Sequence, residues 1–344
     1  MTRTWLSVAL LFLFCSANGY AEGLKSGVWI SDVQLMGLDT RSEAWLSVLD
    51  WANRPLRRPS LADQDSSANV QTLAAALYAT RTGDAVMRNR VALTLAEIQG
   101  TELSASALAV SRELAAYVIA ADLVQLQGES RRRFDQWLRR LRHTQFKGRT
   151  ISGTHEDRPN NWGTHAGATR IALAIYLQDV QELQRAAFVF KGWLGESDGW
   201  RGFEFGETWW QPWGFRNYGV NPAGSRLWGH SIDGVLPDDQ RRGGPFRWPP
   251  SKENYVYEAL QGAVAQAIML ERQGFEPWLW GDRALLRAFK WLHEEAGFPA
   301  QGDDTWMPHV INRAYGTQFP APMPSMPGKA VGFTDWTYQR YADG

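Results

Sequence analysis

Stretches with apolar residues at every third or fourth position, separated by breaks of a few residues, restrict this chain to a helical architecture. From Ser67 to about Ala121, Val70, Leu73, Ala74 and Leu77 keep that spacing, Gly83-Asp84 interrupts it, and Val91, Leu95 and Ile98 resume it. Gly100 closes the segment. The run from Leu108 to Asp122 that follows is nearly apolar all round, as in a helix buried on more than one side. The same reading predicts helices over 131–141, 164–177, 180–193, 255–272 and 282–294, and strand signals are few. Connections of a few residues force antiparallel neighbours. An all-α chain built this way is expected to form a single toroid or barrel of paired helices. No clean repeat fixes the number of hairpins, and no Gly/Ser-rich or charged linker divides the chain, so one domain with long loops is expected.

Charge and composition narrow the partners. Among 344 residues, 36 basic side chains balance 36 acidic ones, which disfavours nucleic acid and a polybasic membrane contact, both of which need a net positive field. Arg3 precedes an apolar run from Trp5 to Phe14, and Gly19-Tyr20-Ala21 fits cleavage after Ala21. Residues 1–21 therefore read as a secretory signal peptide, residues 22–344 as the mature domain, and the compartment as the periplasm or the exterior. The apolar run is shorter than the roughly 20 residues a membrane-spanning helix needs. The only cysteine, Cys15, leaves with the signal, and it follows Phe14 where lipid attachment wants a small residue. The mature chain then has neither disulfide nor thiol nucleophile, and a soluble monomer is expected.

Two regions escape the helical pattern. Between Ser197 and Tyr255 lie Trp200, Trp209, Trp210, Trp213, Trp228 and Trp248 among glycines and prolines, and after Ala300 the chain is again rich in loops and prolines. A structured loop of that length is usually functional. The 18 tryptophans of the chain exceed what a core requires; they serve either packing or the stacking of sugar rings on indole faces. The most specific segment is Arg158-Pro-Asn-Asn-Trp-Gly-Thr-His-Ala-Gly-Ala168, which leads into a helix. Gly163, Ala166, Gly167 and Ala168 allow close backbone approach, and Asn160 and Asn161 fall at the helix start, where amides and the dipole favour an anion. His165 follows Asn161 by four residues, so both side chains project from one helix face toward a single carboxylate. The alternative makes the asparagines caps and the histidine a core residue.

That segment, with Leu114 to Leu123, Asp233 to Gly244 and Trp248 to Gly262, resembles the alginate-lyase-like polysaccharide lyases of helical-toroid fold, and most nearly polysaccharide lyase family thirty-eight, whose members cleave glucuronan or alginate. The resemblance runs from about Ser67 to Gly316. It implies an (α/α) toroid or barrel of six or seven hairpins and cleavage of an anionic uronic-acid polymer by β-elimination; no cofactor and no metal are expected. Removing the proton at C5 of a uronate places a second negative charge beside the carboxylate, so donors aimed at that carboxylate stabilise the transition state more than the ground state. The resemblance assigns this role to Asn161 and His165 with an arginine, Arg242 in preference to Arg247. It assigns proton transfer to a tyrosine, which titrates near 10 and needs neighbouring cations such as Lys252 to serve as a base. Tyr255, at the loop-to-helix junction, is preferred, with Tyr257 as the fallback. Asn160, Trp209, Trp210, Trp248, Lys252, Arg247 and Tyr257 complete the expected substrate-binding set, and Arg216 and Arg241 are further partners for carboxylates.

Rival chemistries meet less support. A toroid glycoside hydrolase needs two carboxylates about 5 to 9.5 Å apart. Only Asp238-Asp239 and Asp303-Asp304 stand out as pairs, and the first reads as a turn cap. A non-catalytic uronan-binding protein is the other alternative. The six histidines show no zinc-ligand spacing, and no Gly-x-Ser-x-Gly elbow is present.

Overall fold

The computed structural model describes residues 24–214, 218–323 and 327–338. The signal segment 1–21, with Cys15, and Arg216 lie outside the described residues. Helices dominate in the order α1 (Asp32–Met36), α2 (Glu43–Asn53), α3 (Ala68–Thr82), α4 (Ala85–Glu97), α5 (Ala107–Leu123), α6 (Gly128–Leu141) and α7 (Ile151–Asp157). There follow α8 (Asn161–Tyr176), α9 (Val180–Leu194), the short α10 (Pro237–Gln240), α11 (Asn254–Arg272), α12 (Trp280–Lys290), α13 (Met307–Tyr315) and α14 (Thr334–Thr337). Among the described residues the only sheet is a hairpin of two short strands, β1 (Arg226–Leu227) and β2 (His230–Ser231).

Local chemistry sets the boundaries. Gly83 ends α3 in the left-handed conformation, and Asp84 then caps α4 by accepting from the Met87 amide at 2.9 Å. With so short a link the two helices must run antiparallel. Ser106 caps α5 in the same way. The helix predicted from Thr164 begins three residues earlier, because Asn160 is the N-cap and accepts from the Trp162 amide at 3.2 Å.

Four helices, α3, α5, α8 and α11, lie side by side as the inner layer, and α2, α4, α7, α9 and α13 cover them. The inner helices run parallel. Asn69 of α3 donates to the Lys329 carbonyl and Glu113 of α5 approaches the Lys329 ammonium, whereas Thr80 meets Leu123 at the opposite ends of the two helices. His165 of α8 faces Glu258 of α11, and Gly167, two residues further along α8, lies against Gln266, eight residues further along α11. The helix N-termini therefore gather at one end of the layer. Small residues permit this closeness: a Cβ on Gly262 would stand 2.4 Å from the Thr164 carbonyl carbon, so α11 crosses α8 backbone to backbone. Nearly every residue of α5 is buried, as its apolar sequence predicts, and this includes Arg112 and Glu113. Those two charges are accommodated where the inner helices begin.

Candidate active site

The start of α8 is built by the loop that precedes α11. Asn160 Nδ2 donates to Asp238 Oδ2 at 2.8 Å, and the Asn161 amide donates to Asp239 Oδ1 at 3.1 Å. Asp238 also accepts from the Gly206 amide and from Arg241 Nε, both at 2.8 Å. Asp239 is wholly buried, and burial holds its carboxyl well above the usual range. This adjacent pair anchors a helix end and leaves no carboxylates free to flank a glycosidic bond. Asn160, expected to touch substrate, is buried and fully used in the same anchor.

Deeper in the layer, three inner helices contribute one ionic cluster. Arg112 Nη2 lies 3.1 Å from Glu258 Oε2, and His165 Nε2 lies 3.7 Å from the same oxygen. Burial alone would raise the Glu258 carboxyl, but the approach of His165 and the charge of Arg112 hold it below its ordinary value. Burial, reinforced by Arg112, lowers His165, so its imidazole is neutral near pH 7. Asn161 Oδ1, both His165 nitrogens, Arg112 Nε and Gln261 Oε1 are buried and make no hydrogen bond within the protein. Such a concentration of unsatisfied polar atoms is uncommon in a native interior and marks a place prepared for something other than packing. Neighbouring Glu113 is pushed up to about 8 by burial, against the opposing charges of Lys329 and Arg112. Burial likewise raises Asp304, which accepts from Gln261 Nε2 at 2.9 Å, to about 7.

The rim above this cluster carries Tyr255, 39% exposed, in the first turn of α11. The Arg242 guanidinium stacks 3.5 Å from the centre of its ring, a cation–π arrangement that fixes both groups. Tyr255, Glu258 and Gln261 succeed one another at three-residue spacing, hence along one face of α11. Lys252 is exposed and donates to Gln301 Oε1 at 3.0 Å, and Arg247 is exposed on the same loop.

Several expected site residues are placed elsewhere. Tyr257 is buried, its hydroxyl donates to the Phe298 carbonyl at 2.6 Å, and burial drives its phenol far upward, so it serves neither as base nor as contact. Trp210 is 1% exposed and its indole donates to the Gly244 carbonyl, so it packs the loop and offers no face to a sugar. Trp209 is exposed, and Trp248, half-buried, stacks on His230 at 4.5 Å. Asn161 and His165 share a helix face as predicted, yet both are buried, with Arg112 and Glu258 beside the imidazole. Arg112 and Glu258 escaped the sequence reading. Their one signal was a charged pair, Arg112-Glu113, inside an otherwise apolar run.

Residues 62–195 match the family model for alginate lyases. That segment is alginate-lyase-like. A histidine-to-alanine variant of alginate lyase A1-III complexed with tetrasaccharide superposes on this chain with a TM-score of 0.54, covering 91% of each chain at 12% identity. At that identity the likeness is one of fold, and it establishes the helical toroid. A second alginate lyase A1-III structure, from Sphingomonas species A1, aligns at a TM-score of 0.49 over 83% of each chain, also at 12% identity. No curated protein matched the sequence. The family match spans α3 to α9 and so includes Arg112, Asn161 and His165, while Arg242, Tyr255 and Glu258 lie beyond it.

Proposed function

We propose that the lyase cleaves a β-1,4-linked uronan, glucuronan or polymannuronate, by β-elimination, in the manner of polysaccharide lyase family thirty-eight. In this reading Tyr255 removes the C5 proton and returns it to the departing C4 oxygen. Arg242, stacked on the phenol, holds it at the rim and supplies positive charge where the substrate is most negative. The substrate carboxylate enters above Arg112, Asn161 and His165. A neutral imidazole can donate a hydrogen bond there without a net charge of its own, and preorganised donors of this kind act most strongly out of water. Glu258 positions that set by pairing with Arg112 and facing His165. Trp209 and Trp248 are assigned to sugar stacking, and Lys252 and Arg247 to carboxylates further along the polymer.

The observation that supports this most is the run of chemistry along one wall. The exposed Tyr255 under Arg242 stands one turn from Glu258, and Glu258 joins Arg112 of α5 to His165 of α8. No structural requirement of the toroid calls for a phenol, two guanidiniums, an imidazole and a primary amide together. The signal peptide read at 1–21 supports action in the periplasm or outside the cell. Purified protein incubated with glucuronan, polymannuronate, polyguluronate and hyaluronan tests the proposal by ultraviolet absorbance of the unsaturated product. Absorbance should rise with glucuronan or polymannuronate. Silence with all four would refute the uronan assignment.

A further inference from the structure

The loop before α11 also carries an aromatic cavity, of which the cleavage reading uses only Trp209. Its volume is about 250 Å³, and its walls include Trp209, Trp213, Trp228, Phe246, Pro212 and Pro245. No charged side chain lines it among the described residues. Trp213 and Trp228 are 80% and 72% exposed, so neither ring contributes appreciably to the core. Trp228 stands at the tip of the β1–β2 hairpin with φ of 48°, followed by Gly229 with φ of 86°. A two-residue turn with two positive φ values ordinarily takes Asn-Gly or Asp-Gly, and a bulky residue there is strained by roughly 1–2 kcal/mol. A tryptophan held in a conformation that Asn adopts more easily, and left facing solvent, points to a ligand and not to folding.

The floor of the cavity is fixed from the catalytic side. Phe246 packs on buried Trp210 with ring centres 4.9 Å apart, and Trp228 meets Phe246 edge-on at 5.4 Å. The segment that forms the floor begins at Asp238 and Asp239, which anchor α8, and passes through Arg242 before reaching Pro245. Pro245 lies three positions after Arg242, so their Cα atoms are at most about 11 Å apart. The cavity wall therefore lies close along the chain to Arg242, which stacks on Tyr255.

We propose that this cavity is an outlying subsite of the lyase that takes the apolar face of a pyranose ring further along the same polymer. It reads the ring and not the carboxylate, because aromatic walls without a cation favour stacking and give nothing to an anion. This rests on the uronan reading above, and the two can fail separately. The test compares Trp213→Ala and Trp228→Asn with the parent protein on a series of uronan chain lengths. Trp228→Asn suits the turn, so the variant should unfold at or above the parent temperature and loss of fold cannot account for its behaviour. The ratio of kcat/KM on long polymer to kcat/KM on the shortest cleaved oligomer should fall about tenfold for each variant, a loss of about 1.4 kcal/mol of stacking. That loss should not change between low and high salt, since no charged side chain lines the cavity among the described residues. In gels containing the polymer, retardation of the protein should weaken in both variants, which reads binding even if no cleavage occurs. An unchanged length dependence together with unchanged retardation would overturn the subsite, whereas absence of product from every uronan with the parent protein would overturn the cleavage reading alone.

Discussion

Replacing Glu258 by Gln removes the negative member of the cluster while keeping its shape. Arg112 is left with its side chain 9% exposed and its nearest counter-charge gone. Breaking a buried pair by deleting one partner costs about 3–5 kcal/mol, and because Glu258 is itself 23% exposed the lower end, about 3 kcal/mol, applies. For a chain of this size that lowers the melting temperature by roughly 4 °C. Arg112→Met alone should cost a similar amount, since it strands the carboxylate beside a neutral histidine. The double variant Arg112→Met, Glu258→Leu should recover much of both losses, because well-packed apolar residues tolerate the site better than one unpaired ion. Urea unfolding of these proteins together with Glu258→Leu closes the cycle and gives the coupling energy. Strictly additive single effects, or a Glu258→Gln protein as stable as the parent, would refute the ionic cluster and the role given to Glu258.

The stabilisation that Glu113 and Asp304 contribute should fall as pH rises from about 4 to about 8. Glu113 and Asp304 have folded-state values near 8 and 7 against ordinary values of 4.5 and 3.8, so at these two sites the folded protein holds protons that the unfolded chain releases. That contribution is complete below the unfolded values and lost through the folded ones; Glu113→Gln should change the slope of a melting-temperature profile in its upper part relative to the parent, and an identical slope in the two proteins would contradict it. Gly262→Ala forces a methyl to 2.4 Å from the α8 backbone and should destabilise by about 1–3 kcal/mol in urea titrations, with an unchanged midpoint counting against the helix crossing. Asn161→Ala should lower turnover by about 10²–10³, as loss of one donor to a developing oxyanion does, with little change in circular dichroism. Full turnover in that variant would remove Asn161 from the site.

The helices were legible because their cause is local. Periodicity, Gly83 as a stop and Asn160 as a cap act within a few residues, and the inner character of α5 showed in its all-round apolarity. The rim was legible for a related reason: Tyr255 and Arg242 lie 13 positions apart around a helix start, where loop and helix patterns change. The ionic cluster was not. Arg112 and Glu258 are 146 positions apart, and no periodicity in one sequence tells which inner helix meets which at one level. Tryptophans posed the opposite difficulty. Trp210 and Trp228 have the same composition around them, and only the packing of Phe246 separates a buried strut from an exposed face.

The chemistry itself can be read from one reaction run in water enriched in oxygen-18, with products weighed by mass spectrometry. Elimination at the C4 oxygen leaves each new non-reducing end one water lighter and free of label, and Tyr255→Phe should reduce its yield by about 10²–10⁴. Saturated non-reducing ends, with the label on the new reducing ends, from the parent protein, or full yield from the phenylalanine variant, would contradict the account.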